Sequence, residues 1–226
     1  MTFTGFGPDA FRWFAGLEAN NTRAWFQAHR DTYDDAVREP FEALLDELAA
    51  ELGGTVKVFR QHRDTRFSAD KSPYKTRTYG VIGERPGTSA GLYAEVSASG
   101  LAAGTGYYLM STAQLGRFRD AVADDASGPA LERALATAHA AGVDTYGEAL
   151  KTAPRGYPRD HPRVALLRHK MLIGIRRVAP GPTGIGRDAA LSHARETWDA
   201  CGPMVAWLDA HVGADVENAG TAPIPT

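Results

Sequence analysis

Between Arg60 and Arg77 the chain reads RQHRDTRFSADKSPYKTR, with six cations against two carboxylates, a local net of +4. Arg60, Arg63 and Arg66 recur every third residue, and each offers a planar fork of donors suited to a carboxylate or phosphate. Lys71 and Lys75 add point charges, and Tyr74 adds a hydroxyl and an aromatic face. Asp64 and Asp70 can orient these cations in paired contacts. Asp64 can also act as an acid–base group, or simply pin the loop through Arg60 or Arg63. On a helix the three arginines would share one face, but Pro73 and the polar run point to a strand end followed by a structured loop.

A second basic stretch, residues 151–177, holds eight Lys and Arg against Asp160, a net of +7. Lys151, Arg155 and Lys170 are its candidate ligand contacts, with Arg168 and Tyr157 nearby in sequence. His161 titrates near neutrality when unperturbed, with a pKa of about 6.5. It is a candidate for proton transfer, or a helix-start residue bonded to backbone. The whole chain carries −2, so the remainder carries −13. If the two basic stretches meet in space, they create a positive field that attracts an anion. If they lie on separate solvated faces, the surplus Asp and Glu pair with them.

Several familiar chemistries are missing. The chain has no GxxxxGK[ST] phosphate loop, no GxSxG elbow, no HExxH and no CxxC. Gly181-Pro-Thr-Gly-Ile-Gly has the wrong glycine spacing for a dinucleotide fingerprint. Neither a metal nor a cofactor is implied. Cys201 falls on an apolar helix face, where a buried inert thiol is the expectation.

These candidates need a scaffold. Pro8 opens a helix carrying Phe11, Phe14 and Leu17, and Asn20-Asn21 ends it and caps the next. Trp25, Phe26, His29, Tyr33 and Val37 form an apolar face. Pro40 opens a third helix that Gly53-Gly54 stops. Val56 and Val58 begin a strand, Thr78–Gly83 is another, and Leu92–Ser97 with Ala103–Met110 forms a hairpin around Ser99-Gly100. Gly104 and Gly106 mark a bulge or a close backbone approach. Helices return after Thr112. Pro154, Pro158 and Pro162 make residues 151–162 a loop, and a helix starting near Asp160 carries Val164, Leu167 and His169. Met171–Val178 is a strand, residues 181–186 a loop, and residues 188–212 a helix broken at Gly202-Pro203. The order lacks βαβ alternation, so the expected class is α+β, a mainly antiparallel sheet packed against several helices. One domain spans residues 1–212, and a flexible tail spans 213–226. A single cysteine, an N-terminus without signal-peptide character and the lack of a long apolar run lead us to expect a cytoplasmic protein with no membrane partner.

The stretch Arg60-x-x-Arg63-Asp64-Thr65-Arg66-Phe67-Ser68-x-Asp70-Lys71-Ser72-Pro73-Tyr74-Lys75-Thr76 resembles the signature of the DUF2461 family. So do Asn20-Asn21 before Trp25-Phe26, Gly104-x-Gly106-Tyr107-Tyr108, Pro154-Arg155-Gly156-Tyr157 before Asp160-His161-Pro162, and Leu166-Leu167-Arg168-x-Lys170. The resemblance spans roughly residues 5–212 and implies one full-length domain. It implies no reaction and no catalytic assignment. Three functional expectations stand together. The basic stretches bind a small phosphorylated or carboxylated ligand, with possible hydrolysis or group transfer. Alternatively, they form a fold-stabilising network in an interaction scaffold. Or they bind short single-stranded nucleic acid, with Tyr74, Tyr79 and Tyr157 stacking on bases.

Overall fold

The computed structural model describes residues 2–147 and 149–214. Strand β1 (Gly5–Phe6) precedes helix α1 (Pro8–Ala19), where Pro8 sits in the first turn and Phe11, Trp13, Phe14 and Leu17 are buried. Helix α2 (Arg23–Ala28) starts at Thr22, whose Oγ1 accepts the Trp25 N–H at 3.2 Å. The cap is therefore Thr22, not the expected Asn21. Helix α3 (Arg30–Tyr33), a π-helical turn (Asp34–Arg38) and helix α4 (Glu39–Leu52) follow in succession. Gly53, at φ +73°, ends α4 in a conformation that favours glycine.

Strands β2 (Thr55–Val58), β3 (Arg77–Gly83), β4 (Gly91–Ser97) and β5 (Gly100–Tyr107) form an antiparallel meander. Helix α5 (Thr112–Ala123) opens with a capping box between Ser111 and Gln114. Then come α6 (Gly128–Ala140), β6 (Asp144–Tyr146), the single turn α7 (Val164–Leu167), β7 (Leu172–Val178), β8 (Ile185–Gly186), α8 (Arg187–Ala200) and α9 (Gly202–His211). The main sheet has the order β2-β3-β4-β5-β7-β6 with every neighbour antiparallel, and β1 pairs with β8 apart from it. This is the expected α+β class. The helix expected from Asp160 shrinks to α7, because Val164–Leu167 is all that lies between the proline loop and the His169–Ala149 bridge.

Alternation along the strands decides what each face of the sheet meets. Gly80 faces α4, where a Cβ would stand 2.6 Å from Leu45. Ala94 and Ala103 share its register row, and Leu92, Val96 and Leu101 bury on the same side. Gly174 faces Cys201 and Met204 of the α8–α9 junction. One apolar cluster joins this face to α1–α4 and α8, and a second joins it to α5, α6 and α9. Phe14, Phe41, Leu44 and Phe118 are fully enclosed, each contributing about 2 kcal/mol of burial.

The opposite face carries Arg77, Tyr79 and Val81 of β3, Tyr93, Glu95 and Ser97 of β4, Ala102, Gly104 and Gly106 of β5, and Ile175 and Arg177 of β7. A Cβ on Gly104 would lie 2.6 Å from the Gly174 carbonyl oxygen. Gly104 is therefore a close approach of two backbones, not a bulge. At the C-terminus, the Gly213 and Ala214 carbonyls accept from Gln114 and Arg117. Residues 215–226 of the expected tail lie outside the described residues.

Candidate functional site

The hairpin of β2 and β3 extends past its regular strands. Phe59 N–H donates to the Tyr79 carbonyl at 3.0 Å, Lys75 N–H to Gln61 at 2.9 Å and Arg63 N–H to Pro73 at 2.9 Å. Residues 64–72 form the tip of this arm, so Arg60, Arg63 and Arg66 share no helix face. Within the tip the charges satisfy one another. Asp64 accepts the Arg66 backbone N–H at 3.1 Å and its guanidinium through Nε at 3.0 Å and Nη2 at 2.6 Å. These bonds lower the Asp64 pKa to about 2. Asp70 accepts the Ser72 N–H at 2.9 Å and pairs with Arg63, and both contacts hold its carboxyl well below the usual range. Lys71 Nζ donates to the Thr65 carbonyl at 2.9 Å. Phe67 stands at the tip, 97% exposed.

Tyr74 is an anchor of this arm and only 2% exposed. Its ring stacks on Phe26 with centroids 4.1 Å apart. The Asn21 side chain clasps its backbone, accepting the Tyr74 N–H at 3.1 Å and donating to its carbonyl at 2.9 Å. Burial removes Tyr74 from the ligand-contact set and from base stacking. Buried Tyr79 likewise offers no open stacking face.

The second basic stretch is anchored elsewhere. Arg163 is buried and donates to the Val122 and Ala123 carbonyls at 2.6 and 2.9 Å and to Asp125 at 2.7 Å, locking the α5–α6 turn. Tyr157 donates to Asp120 at 2.7 Å, and Arg168 to the Leu150 carbonyl. His161 Nδ1 accepts the Arg163 N–H at 3.0 Å, the backbone-bonded alternative considered for it. Lys151 and Arg155 are exposed, and Lys170 is half-buried. Among the described residues, no hydrogen bond or ion pair joins residues 60–75 to residues 151–168.

The two stretches converge instead through their final arginines, Arg77 and Arg177, on the second face of the sheet. Tyr79, Glu95, Ala102 and Arg177 occupy one register row across β3, β4, β5 and β7. The Glu95 side chain is 8% exposed. Its Oε2 lies 3.3 Å from Arg77 Nε, its Oε1 pairs with Arg177 Nη2, and the Tyr93 hydroxyl donates to Oε2 at 2.5 Å. Ala102 is small enough for Arg177 to reach across it, and Arg177 Nη1 also donates to Ser97 Oγ at 3.1 Å. Burial, then the Glu95 charge, pushes the Tyr93 phenol far above its ordinary pKa.

Lys75 lies beside this row. Its Nζ donates to the Arg60 carbonyl at 3.0 Å and to the Tyr79 hydroxyl at 2.9 Å. Both of these partners are neutral. The ammonium sits 4.6 Å from the Tyr79 ring centroid, the Arg77 guanidinium 5.4 Å from the same centroid, and Phe59 stacks on that ring at 4.8 Å. Burial first, then the charges of Arg77 and Arg60, depresses the Lys75 pKa. Lys75, Arg77 and Arg177 against the single carboxylate of Glu95 leave this patch with an excess of positive charge.

A cleft of about 370 Å³ opens beside the same arm and is lined by Phe26, Tyr33, Asp34, Arg38, Arg60 and His62, among others. Its carboxylates are paired: Asp34 with Arg30 at 3.3 Å, and Glu42 with Arg38 at 2.9 Å. Among the described residues no group of three or more His, Cys, Asp or Glu could hold a metal ion. Burial pushes the Cys201 thiol up to about 11, fitting the inert thiol expected.

Sequence reasoning singled out Lys75 and Arg60 but not Arg77, Tyr93, Glu95 or Arg177. A signal was present: Glu95 is the one charge in the alternating run Leu92–Ser97. A lone acid on an apolar strand demands a cationic partner on its own face.

A family model described as "Conserved hypothetical protein (DUF2461)" matches residues 9–207. No curated protein matches the chain. Among the described residues no helix is long and apolar enough to cross a membrane.

Proposed function

The chain belongs to the DUF2461 family, whose description assigns no activity, and we propose from its side chains that it binds a small carboxylated or phosphorylated ligand on the second face of its sheet. Arg77 and Arg177 are the anion contacts, and Lys75 stands beside them. One observation carries this reading: a single buried carboxylate, Glu95, holds two guanidiniums side by side, while Lys75 beside them touches only neutral oxygens. A guanidinium paired on one edge still presents its remaining N–H groups to a ligand. We place the protein in the cytoplasm, where metabolites of this chemistry are abundant.

The test is a thermal-shift panel at fixed ionic strength, with inorganic phosphate, malonate and sugar phosphates, on wild type and Arg177→Gln. Ligand at a hundredfold over its Kd stabilises by about 2.7 kcal/mol, raising the melting point by roughly 5–10 °C for a chain of this size. Arg177→Gln should lose most of that rise. A flat wild-type response across the panel, or an equal rise in both proteins, refutes the reading.

For the arm tip a structural role is favoured, because Arg63, Asp64, Arg66, Asp70 and Lys71 are all engaged within the tip itself. Nucleic-acid binding loses its footing with the burial of Tyr74 and Tyr79.

A further inference from the structure

Lysine is rare here. Only residues 57, 71, 75, 151 and 170 are lysine, among 25 Lys and Arg in all. Arginine stays charged wherever it is placed, whereas an amine loses its proton when burial or neighbouring cations disfavour it. Lys57, Lys71 and Lys151 are exposed to water. Lys75 lies against the Tyr79 ring that Arg77 also approaches, with a neutral carbonyl and a neutral hydroxyl as its hydrogen-bond partners. A carboxylate partner would hold the ammonium charged. This environment does the reverse, and it stands inside a patch that attracts anions.

We propose that Lys75 is an amine nucleophile that condenses with the carbonyl group of an anionic aldehyde or 2-oxo acid held by Arg77 and Arg177. The inference rests on the anion-binding reading and assigns its substrate class. The neutral Nζ places its lone pair on the carbonyl carbon and the C=O π pair moves to oxygen. The Tyr79 hydroxyl, 2.9 Å from Nζ, lies within reach to pass a proton from nitrogen to that oxygen. Nitrogen then forms the second C–N bond, and the oxygen leaves as water with both amine protons. The product is an imine, and no oxidant or reductant is consumed. Burial and the Arg77 and Arg60 charges, which depress the Lys75 pKa, favour the free amine form that attacks. The guanidiniums hold the substrate's acid group while the amine meets its carbonyl.

Full-length protein is incubated with glyoxylate and sodium cyanoborohydride, which donates hydride to the imine carbon and fixes the adduct. Peptide mass mapping then gives the rate at each of the five lysines. Lys75 should react on the order of tenfold faster than the mean of the other four, the gain expected of an anionic reagent in a focused positive field. Inorganic phosphate should slow Lys75 alone, and Arg77→Gln should slow it with the fold retained. Selectivity is read on wild type, so a misfolded variant cannot decide the result. Labelling of Lys75 no faster than of exposed Lys57 or Lys151 overturns the inference. If phosphate still raises the wild-type melting point in that case, the anion-binding reading stands and only the amine chemistry falls.

Discussion

Glu95→Gln separates two roles that the buried carboxylate combines. The substitution keeps size and one carbonyl oxygen but removes the only negative charge in the patch. Breaking a fully buried ion pair costs about 3–5 kcal/mol, because the surviving charge is left uncompensated. The arginine side chains here are 48% and 37% exposed, so water screens both. Halving the figure for that screening gives about 2 kcal/mol of destabilisation. For a chain of this length the melting point should fall by roughly 4–8 °C. The same change raises the net charge of the patch by one unit. Stabilisation by inorganic phosphate should therefore grow in Glu95→Gln even though the unliganded protein is weaker. Paired thermal melts with and without phosphate, at constant ionic strength, read both quantities. An unchanged melting point would show that Glu95 does not hold the two guanidiniums. A phosphate effect that shrank together with stability would show that the carboxylate shapes the anion contacts instead of opposing the anion, and the electrostatic reasoning would fail.

Two further outcomes concern the arm. Asn21→Ala leaves the Tyr74 N–H and carbonyl without their side-chain partner, which should cost about 2 kcal/mol in urea denaturation; an effect near zero would mean the clasp contributes nothing. Asp64 has a folded pKa of about 2 against an ordinary 3.8, so its contribution is complete above the ordinary value and disappears as pH falls toward 2. Pepsin cleavage at Phe67, normalised to an unfolded control peptide, should accelerate across that window, while Asp64→Asn should already be cut quickly at its upper end with little change in melting point. Identical cleavage profiles for the two proteins would rule out the Asp64–Arg66 pair as the clamp on the tip.

The sequence was most legible where a period repeated. Phe11, Phe14 and Leu17 announced α1, and Val56 and Val58 announced β2. The strands β1, β6 and β8 were invisible because two or three residues hold no period, and Gly5–Phe6 becomes a strand only against Ile185–Gly186. The arm was visible as a charged run, yet the partners inside it were not. Asp64 pairs with Arg66 and Arg63 with Asp70, choices set by the turn at residues 64–72 and not by charge alone. Asn21 reads locally as a helix cap, but its side chain is occupied fifty-three residues away at Tyr74, leaving the cap to Thr22. Convergence of the basic stretches was anticipated as one outcome, but not its place. Pairing Arg77 with Arg177 required the strand order, in which β7 lies beside β5 and not at an edge.

That strand order also governs when the molecule can be completed during synthesis. The meander β2–β5 is finished by Tyr107, and its consecutive strands pair directly, β2 with β3 through the arm and β4 with β5 through a tight turn. Its apolar face over β5, however, is closed by Leu191, Ala194 and Trp198 of α8, and β5 gains its second neighbour only with β7. Phe6 likewise waits for Ile185. A nascent chain therefore carries an uncovered face over β5 and an unpaired β5 edge from the completion of Tyr107 until β7 and α8 are made, the kind of surface that chaperones shield and that aggregates when they fail. About ninety residues separate Tyr107 from Trp198, so the contacts that close this face are far longer in range than the strand pairings of the meander.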